Sequence, residues 1–586
     1  MKQYAQHSPL KPAVSVRIAL PVLAVVALFQ LLHALGTPSP IYGGDEYAYF
    51  ASGLSRANLP DLWRHDPYLQ RVVNPLFLAL IDRSARAFPD PAAVVRLLGV
   101  FSYLAMAGFV GWFVLRRAGM LPALVAVILT CLLPSSAFAA AVMPEVLFYA
   151  AVVAAVLVLA LPTSPAAGAI LAGLFTAVAF LLKPHAISVL VGVLAGQLAL
   201  AGWLLALRRP WRGVAMATAV YLGATYTFIT LSSALFGSLQ FDPRFLLGEF
   251  YSSAARTTVG SATDGLGWIA YYVAGNASGL LLYTFPFLAL MILKARDLLR
   301  TDRATPLDVR PLTLLFVTVF VAGATLVMVA MFTYASGTST PSEAMRLHGR
   351  YYAYLLILIF TGALSIPRWD TVLAKPVFVS RLPWLDGYRL VGAGWLVCGS
   401  LFLALIWRFQ ILPWDNPELQ AIFRNDTSVW QSPVNIRWFA IATPLALAGA
   451  ALALLARSRH APACMIAALS AAFVMGTVNT TKFQHFQIAS SQFLTQAGRF
   501  ASEYFPKSEA DKVLVVGTDR YGAMAYVLFG MTCRCNVLIV EDGKQLTRAN
   551  LPPGTRLIFA VRSYPVQFAT ELLFKAPAGS FHRVID

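Results

Sequence analysis

The chain has 586 residues, of which 58% are hydrophobic and 12% charged, against about 25% charged in a soluble domain. That excludes a single water-soluble core and makes the chain a membrane protein by composition. Its formal net charge is +18, yet the basic residues lie in short connectors between apolar runs, as cytoplasmic loops require. No basic face with interleaved aromatics stands outside those runs, so nucleic-acid binding is excluded as well.

In chain order, Lys2, Lys11 and Arg17 precede an apolar run over 18–35, which reads as a signal peptide or a retained signal anchor. Either leaves the next loop outside. Runs of about 18 apolar residues predict about thirteen spans, near 17–36, 93–115, 119–141, 145–162, 166–182, 186–207, 213–236, 266–293, 311–332, 351–366, 390–411, 437–456 and 463–480. Alternation from a cytoplasmic start puts nearly every basic cluster on one side. Arg116-Arg117, Arg208-Arg209, the Lys294–Arg310 connector, Arg368 with Arg389, and Arg457 with Arg459 all fall inside. The expected location is a bacterial inner membrane, with residues 37–92 and 481–586 facing the periplasm.

The predicted fold is therefore an all-α polytopic membrane domain over 1–480, with an interfacial first outer loop at 37–92. A small extracytoplasmic α/β domain follows over 481–586. Strand-like runs at 513–517, 536–540 and 556–561 flank a helical stretch in that tail. Its V-L-V-V-G-T-D lacks the phosphate-binding fingerprint of a nucleotide fold. Cys131, Cys398 and Cys464 read as small buried hydrophobes. Cys533 and Cys535 form a C-R-C, which is no zinc site by itself; across so short a spacing a disulfide is geometrically strained.

The first outer loop reads P-S-P-I-Y-G-G-D-E-Y-A-Y-F and then W-R-H-D-P-Y-L-Q-R-V-V-N-P-L. Gly43-Gly44 permits a close turn from which a helix starts at Asp45. Acids at a helix start cap free N–H groups and suit the dipole, so Asp45-Glu46 alone is equally a cap or a catalytic pair. Glu145 at the third-to-fourth hairpin alone reads as an interfacial carboxylate. Lys183 and His185 end the fifth span, where snorkelling to lipid phosphate is the ordinary explanation. Arg346, His348, Arg350 and Tyr351 precede the tenth span like an aromatic belt with basic flanks, with Glu343 as a candidate ion-pair partner. Together with Arg71 they place acids and cations from distant segments on the outer side. That inventory suits transfer of a sugar from a lipid-linked phosphate: a carboxylate takes the acceptor proton, and Arg and Lys neutralise the departing phosphate.

On G-D-E-Y-A-Y in the first outer loop, the many spans and the outward α/β tail, the chain resembles the GT-C superfamily of polyprenyl-phosphate-dependent glycosyltransferases. Its layout is similar to the protein-mannosyltransferase-like and aminoarabinose-transferase-like groups. The resemblance implies Asp45 as catalytic base with Glu46 beside it, and inversion at the anomeric carbon. It also implies a polyprenyl-phosphate sugar donor and an envelope glycan, lipid or protein acceptor. Arg71, Lys183 and Arg350 are the candidates for the lipid phosphate; H-G-R-Y-Y resembles a loop before a late span of such enzymes. The Q-R-V-V-N-P-L segment departs from their K-P-P-L-type segment, so neither sugar nor acceptor is carried over. A divalent metal is compatible with this chemistry but not indicated. Competing readings are an O-antigen ligase or polymerase, which would want a dense Arg/His array in a late outer loop, and a lipid-linked glycan flippase, which would show internal repeats.

Overall fold

The computed structural model describes residues 12–54, 74–236, 262–300, 307–339, 345–375, 386–421 except 407, 410, 413 and 414, 437–519, 522–532, 535–540, 544–562 and 564–585. Helices α1 (Pro12–Leu35), α2 (Gly43–Leu54), α3 (Pro75–Ala87) and α4 (Pro91–Ala118) come first. Next are α5 (Met120–Leu132), α6 (Glu145–Val158), α7 (Pro165–Leu182), α8 (Ala186–Ala206) and α9 (Arg212–Phe236). Then follow α10 (Ala262–Arg300), α11 (Arg310–Ser339), α12 (Ala353–Leu364), the single turn α13 (Trp369–Leu373), α14 (Gly387–Ile406), α15 (Arg437–Leu455) and α16 (Ala461–Ala501). The tail holds β1 (Val513–Gly517), α17 (Ala523–Met531), β2 (Asn536–Ile539), β3 (Leu557–Val561), β4 (Thr570–Ala576) and β5 (Gly579–Val584).

Each of the predicted spans contains a helix, but they differ in reach, and the one at 119–141 is an α-helix bent by 59° into the 3-10 helix Pro134–Ala140. Among the described residues, 8 helices are long and apolar enough to cross a membrane, or up to 9 if the pair broken before Pro134 counts as one. The segments at 24–35, 145–158, 353–364 and 442–455 are shorter apolar helices. The chain is a multi-pass membrane protein. Cys131 is buried as expected, whereas Cys398 is only partly covered and Cys464 is exposed.

The chain divides into two compact units. The larger holds residues 1–28, 102–136 and 147–480. Its helices approach closely where glycines allow it. On α8, a Cβ at Gly192 would lie 2.3 Å from Val321 Cα of α11, and one at Gly196 would lie 2.8 Å from Val317 Cα. This small-xxx-small face is how membrane helices gain packing where no hydrophobic drive separates them from lipid.

The smaller unit holds residues 29–101, 137–146 and 481–586, so the first outer loop and the tail belong together. The 41-residue α16 is about 60 Å long at 1.5 Å per residue, roughly twice a hydrocarbon core; its residues from 481 onward belong to this unit. There Gly498 and Gly530 meet the backbones of α17 and α16, each leaving a built Cβ 2.0 Å from a carbonyl oxygen. In turn α17 packs on α2, with Phe529 against Phe50 at 4.6 Å.

The sheet order is β2-β1-β3-β5-β4, with β1 parallel to β2 and β3, and β5 antiparallel to β3 and β4. Both faces of β1 and β3 are buried, as covered parallel strands require. The β4–β5 hairpin adds an edge that the sequence reading did not contain. Cys535 is disulfide-bonded; Cys533 lies outside the described residues.

Candidate functional site

In the smaller unit, the adjacent acids occupy different surroundings because a helix turns its side chains by about 100° per residue. Asp45, in the first turn of α2, is half-buried, while Glu46 is fully buried. Ile41 and Tyr42 donate backbone N–H bonds to Glu46 Oε1 at 2.6 and 2.9 Å, and Val142 donates to Oε2 at 2.8 Å. Arg96 Nη2 lies 3.7 Å from Oε2, and the same guanidinium donates to the carbonyls of Thr37 and Ser39 at 2.5 and 3.1 Å. Burial raises the Glu46 carboxyl above its ordinary pKa, opposed by Arg96 and the three N–H groups. Glu46 thus ties the P-S-P-I-Y segment, the turn at 142 and α4 into one frame that presents Asp45. Glu145 is buried in the first turn of α6, where a helix N-terminus favours a carboxylate.

Arg96 was missed as a partner, although an arginine near the start of a span signals a paired charge. Removing Glu46 would leave that guanidinium buried without its carboxylate. Glu46→Ala is expected to destabilise the protein by roughly 3–5 kcal/mol, read as a lower thermal unfolding midpoint in detergent; an unchanged midpoint contradicts the frame.

The larger unit assembles six of the sequence candidates in one place: Lys183 and His185 between α7 and α8, and Arg346, His348, Arg350 and Tyr351 before α12. Tyr351 is the hub. His185 stacks on its ring at 4.5 Å between centroids, and His348 stacks at 5.5 Å. Lys183 Nζ lies 5.0 Å and Arg350 Cζ 5.1 Å from the ring centroid, within reach of cation–π attraction. Phe332 closes on both His348 and Tyr351. Burial, with Lys183, Arg350 and His348 adding to it, holds the His185 imidazole well below its ordinary pKa, so it is neutral at pH 7 and can donate one hydrogen bond and accept another.

The acid of this cluster is Asp415, which the sequence reading did not single out; Glu343 lies outside the described residues. Asp415 is fully buried and takes an ion pair from Arg346, another from Arg350 Nε at 3.3 Å, and His348 Nδ1 at 3.7 Å. Burial alone would raise its carboxyl, but Arg346, His348 and Arg350 outweigh it and hold it far below the usual carboxylate range. Two guanidiniums and an imidazole therefore gather around one ionised carboxylate. Arg71 lies outside the described residues, and Asp45, Glu46 and Glu145 belong to the smaller unit.

A second unforeseen carboxylate is Glu418, in the 3-10 turn Pro417–Ala421. Its Oε1 accepts from Ser135 N–H at 3.2 Å, and its carbonyl accepts from the Tyr283 hydroxyl at 3.0 Å. Burial outweighs the Ser135 bond and raises the carboxyl from 4.5 to about 7. The folded state therefore favours the protonated form. Below pH 4.5 this costs nothing; as pH rises to about 7 the unfolded chain ionises first and stability falls, by on the order of 3 kcal/mol. Glu418→Gln should unfold like the native chain near pH 4.5 and at higher temperature than it at pH 8. A difference that does not change with pH contradicts this.

Among the described residues no group of three or more His, Cys, Asp or Glu side chains could hold a metal ion.

No protein-family model matches the chain, and no curated protein matches it. Among solved structures it is similar to ArnT from Cupriavidus metallidurans bound to undecaprenyl phosphate, with 13% identity over 96% of this chain and 97% of that one and a TM-score of 0.48. The apo state of that protein gives 14% identity over 97% and 98%, with a TM-score of 0.49. The archaeal oligosaccharyltransferase AglB from Archaeoglobus fulgidus, in complex with an inhibitory peptide and a dolichol-phosphate, gives 12% identity over 93% of this chain and 69% of that one, with a TM-score of 0.44.

Proposed function

We propose that this chain is an integral-membrane glycosyltransferase of GT-C type that moves a sugar from a polyprenyl-phosphate donor to an extracytoplasmic envelope acceptor. The observation that carries the reading is the gathering of Lys183, Arg346 and Arg350, from two distant segments, around Tyr351 and the carboxylate of Asp415. Cations gathered beside aromatic rings from distant segments suit an anionic group, and a phosphate monoester or diester is an anion a membrane enzyme meets at its surface. The apolar helices around the cluster suit a lipid tail on that phosphate.

In the reaction, an acceptor hydroxyl oxygen attacks the anomeric carbon. The bond from that carbon to the phosphate oxygen breaks, and the electron pair leaves with the polyprenyl phosphate. Lys183, Arg346 and Arg350 neutralise the charge that develops there, and Asp45 accepts the hydroxyl proton as general base. Attack opposite the leaving group inverts the anomeric centre. Glu46 serves by fixing the start of α2 rather than by meeting the substrate, since its oxygens are committed to backbone N–H groups. The disulfide at Cys535 supports an oxidising compartment for the tail, and with the placement of basic connectors it supports a periplasmic orientation.

Native mass spectrometry of the purified protein with undecaprenyl phosphate and with undecaprenol tests the reading. Retention of the phosphate-bearing lipid well beyond its neutral analogue is expected. Equal retention of the two contradicts a phosphate site.

A further inference from the structure

The cation cluster is built by a short turn that carries no cation itself. Leu412 O accepts from Asp415 N–H and Asn416 N–H at 3.0 and 2.9 Å, closing the turn. Asn416 then clamps the loop before α12 on both sides of His348. Its Oδ1 accepts from Gly349 N–H at 2.8 Å, and its Nδ2 donates to Leu347 O at 2.6 Å. Asp415 acts on the same loop twice: its carbonyl accepts from Arg350 N–H at 2.5 Å, and its carboxylate pairs with Arg346 and Arg350. The two loops are in such close contact that a Cβ at Gly349 would lie 2.6 Å from Asn416 Oδ1 and 3.1 Å from Asp415 O.

An amide that spends its acceptor and one donor on two backbone groups of another loop fixes where that loop sits. A carboxylate beneath two guanidiniums fixes where they point. The arginine side chain has a planar fork, so its direction matters as much as its charge.

We infer that Asp415 and Asn416 are positioning residues for a phosphate site, holding the 346–351 loop so that Arg346 and Arg350 are aimed in advance at the phosphate of the lipid. This rests on the phosphate reading above and gives that site a second layer that never touches the lipid. It carries a sign that simple electrostatics does not share. Asp415→Asn deletes a negative charge from a cationic cluster, which by charge alone tightens anion binding; loss of aim weakens it.

The test compares the native chain with Asp415→Asn and Asn416→Ala, the latter neutral in charge. Binding of undecaprenyl phosphate and of undecaprenol is measured in the same detergent. Both variants are expected to weaken the phosphate-bearing lipid by on the order of tenfold, as removal of an outer-layer partner commonly does, while binding undecaprenol as the native chain does. Unchanged or tighter binding of undecaprenyl phosphate by Asp415→Asn overturns the inference, and so does parallel loss of both lipids, which marks a collapsed fold.

A second arm needs no lipid. Phenylglyoxal modification, read by peptide mass spectrometry, should become several-fold faster at Arg346 and Arg350 in Asp415→Asn, while buried Arg96 stays protected as the fold control. Unchanged rates at Arg346 and Arg350 also overturn the inference. Should the native chain fail to distinguish the two lipids, the phosphate reading falls, and the modification arm still decides whether Asp415 aims the arginines.

Discussion

Asp45→Asn is expected to lower sugar transfer by about 10²- to 10⁴-fold, the usual contribution of a positioned general base, while the protein stays folded and inserted. The substitution separates two explanations that the sequence leaves level. Asn caps a helix N-terminus about as well as Asp, so a capping role predicts near-normal activity and stability. A base cannot lose its basic oxygen, so a catalytic role predicts near-complete loss with an unchanged unfolding midpoint. The environment of the pair favours the second outcome. Glu46 is buried and committed to the backbone at Ile41, Tyr42 and Val142, whereas Asp45 is half-buried on the adjacent side of α2. Transfer is measured with purified protein and its lipid-linked donor; full activity in Asp45→Asn contradicts the assignment.

The second large effect is expected at the cations. A hydrogen bond to a charged group contributes about 1.5–3 kcal/mol, so losing one costs roughly 10- to 100-fold in affinity. Lys183→Met keeps the apolar stem against Tyr351 but removes the ammonium; Arg350→Lys keeps the charge but removes the fork that pairs with Asp415. Each should raise the donor KM within that range and leave the acceptor KM alone. Raising the salt concentration should weaken the native chain little, because buried charges are poorly screened. An unchanged donor KM in both variants removes the phosphate from this cluster.

Spans are legible because a membrane segment announces itself by length and apolarity; of the about thirteen predicted, 8 described helices, or up to 9 with the bent pair, meet both measures. What the apolar pattern does not carry is depth. Glu145–Val158 and Ala353–Leu364 are as apolar as longer neighbours yet short. The tail was legible at β1, β2 and β3 from their apolar runs; β1 and β3 are buried throughout, while β2 is buried only at Val537. The β4–β5 hairpin was not, since Thr570–Ala576 carries Glu571 and Lys575 and is largely exposed.

Of the cluster, Lys183, His185, Arg346, His348, Arg350 and Tyr351 were legible because cations outside the cytoplasmic connectors run against the charge bias. Asp415 and Asn416 were not: in W-D-N-P they read as an ordinary turn. Their work depends on a loop some 70 residues away in sequence. Glu418 was hidden for the same reason. Its hydrogen-bond partner is Ser135, a residue on another segment.

The most direct measurement is mass spectrometry of envelope glycans, lipids and glycoproteins from a strain lacking this chain, complemented with the native sequence or with Asp45→Asn. The account predicts one sugar modification that is missing without the chain, restored by the native sequence and not restored by Asp45→Asn. An envelope unchanged by the deletion, or restored equally by both, contradicts it.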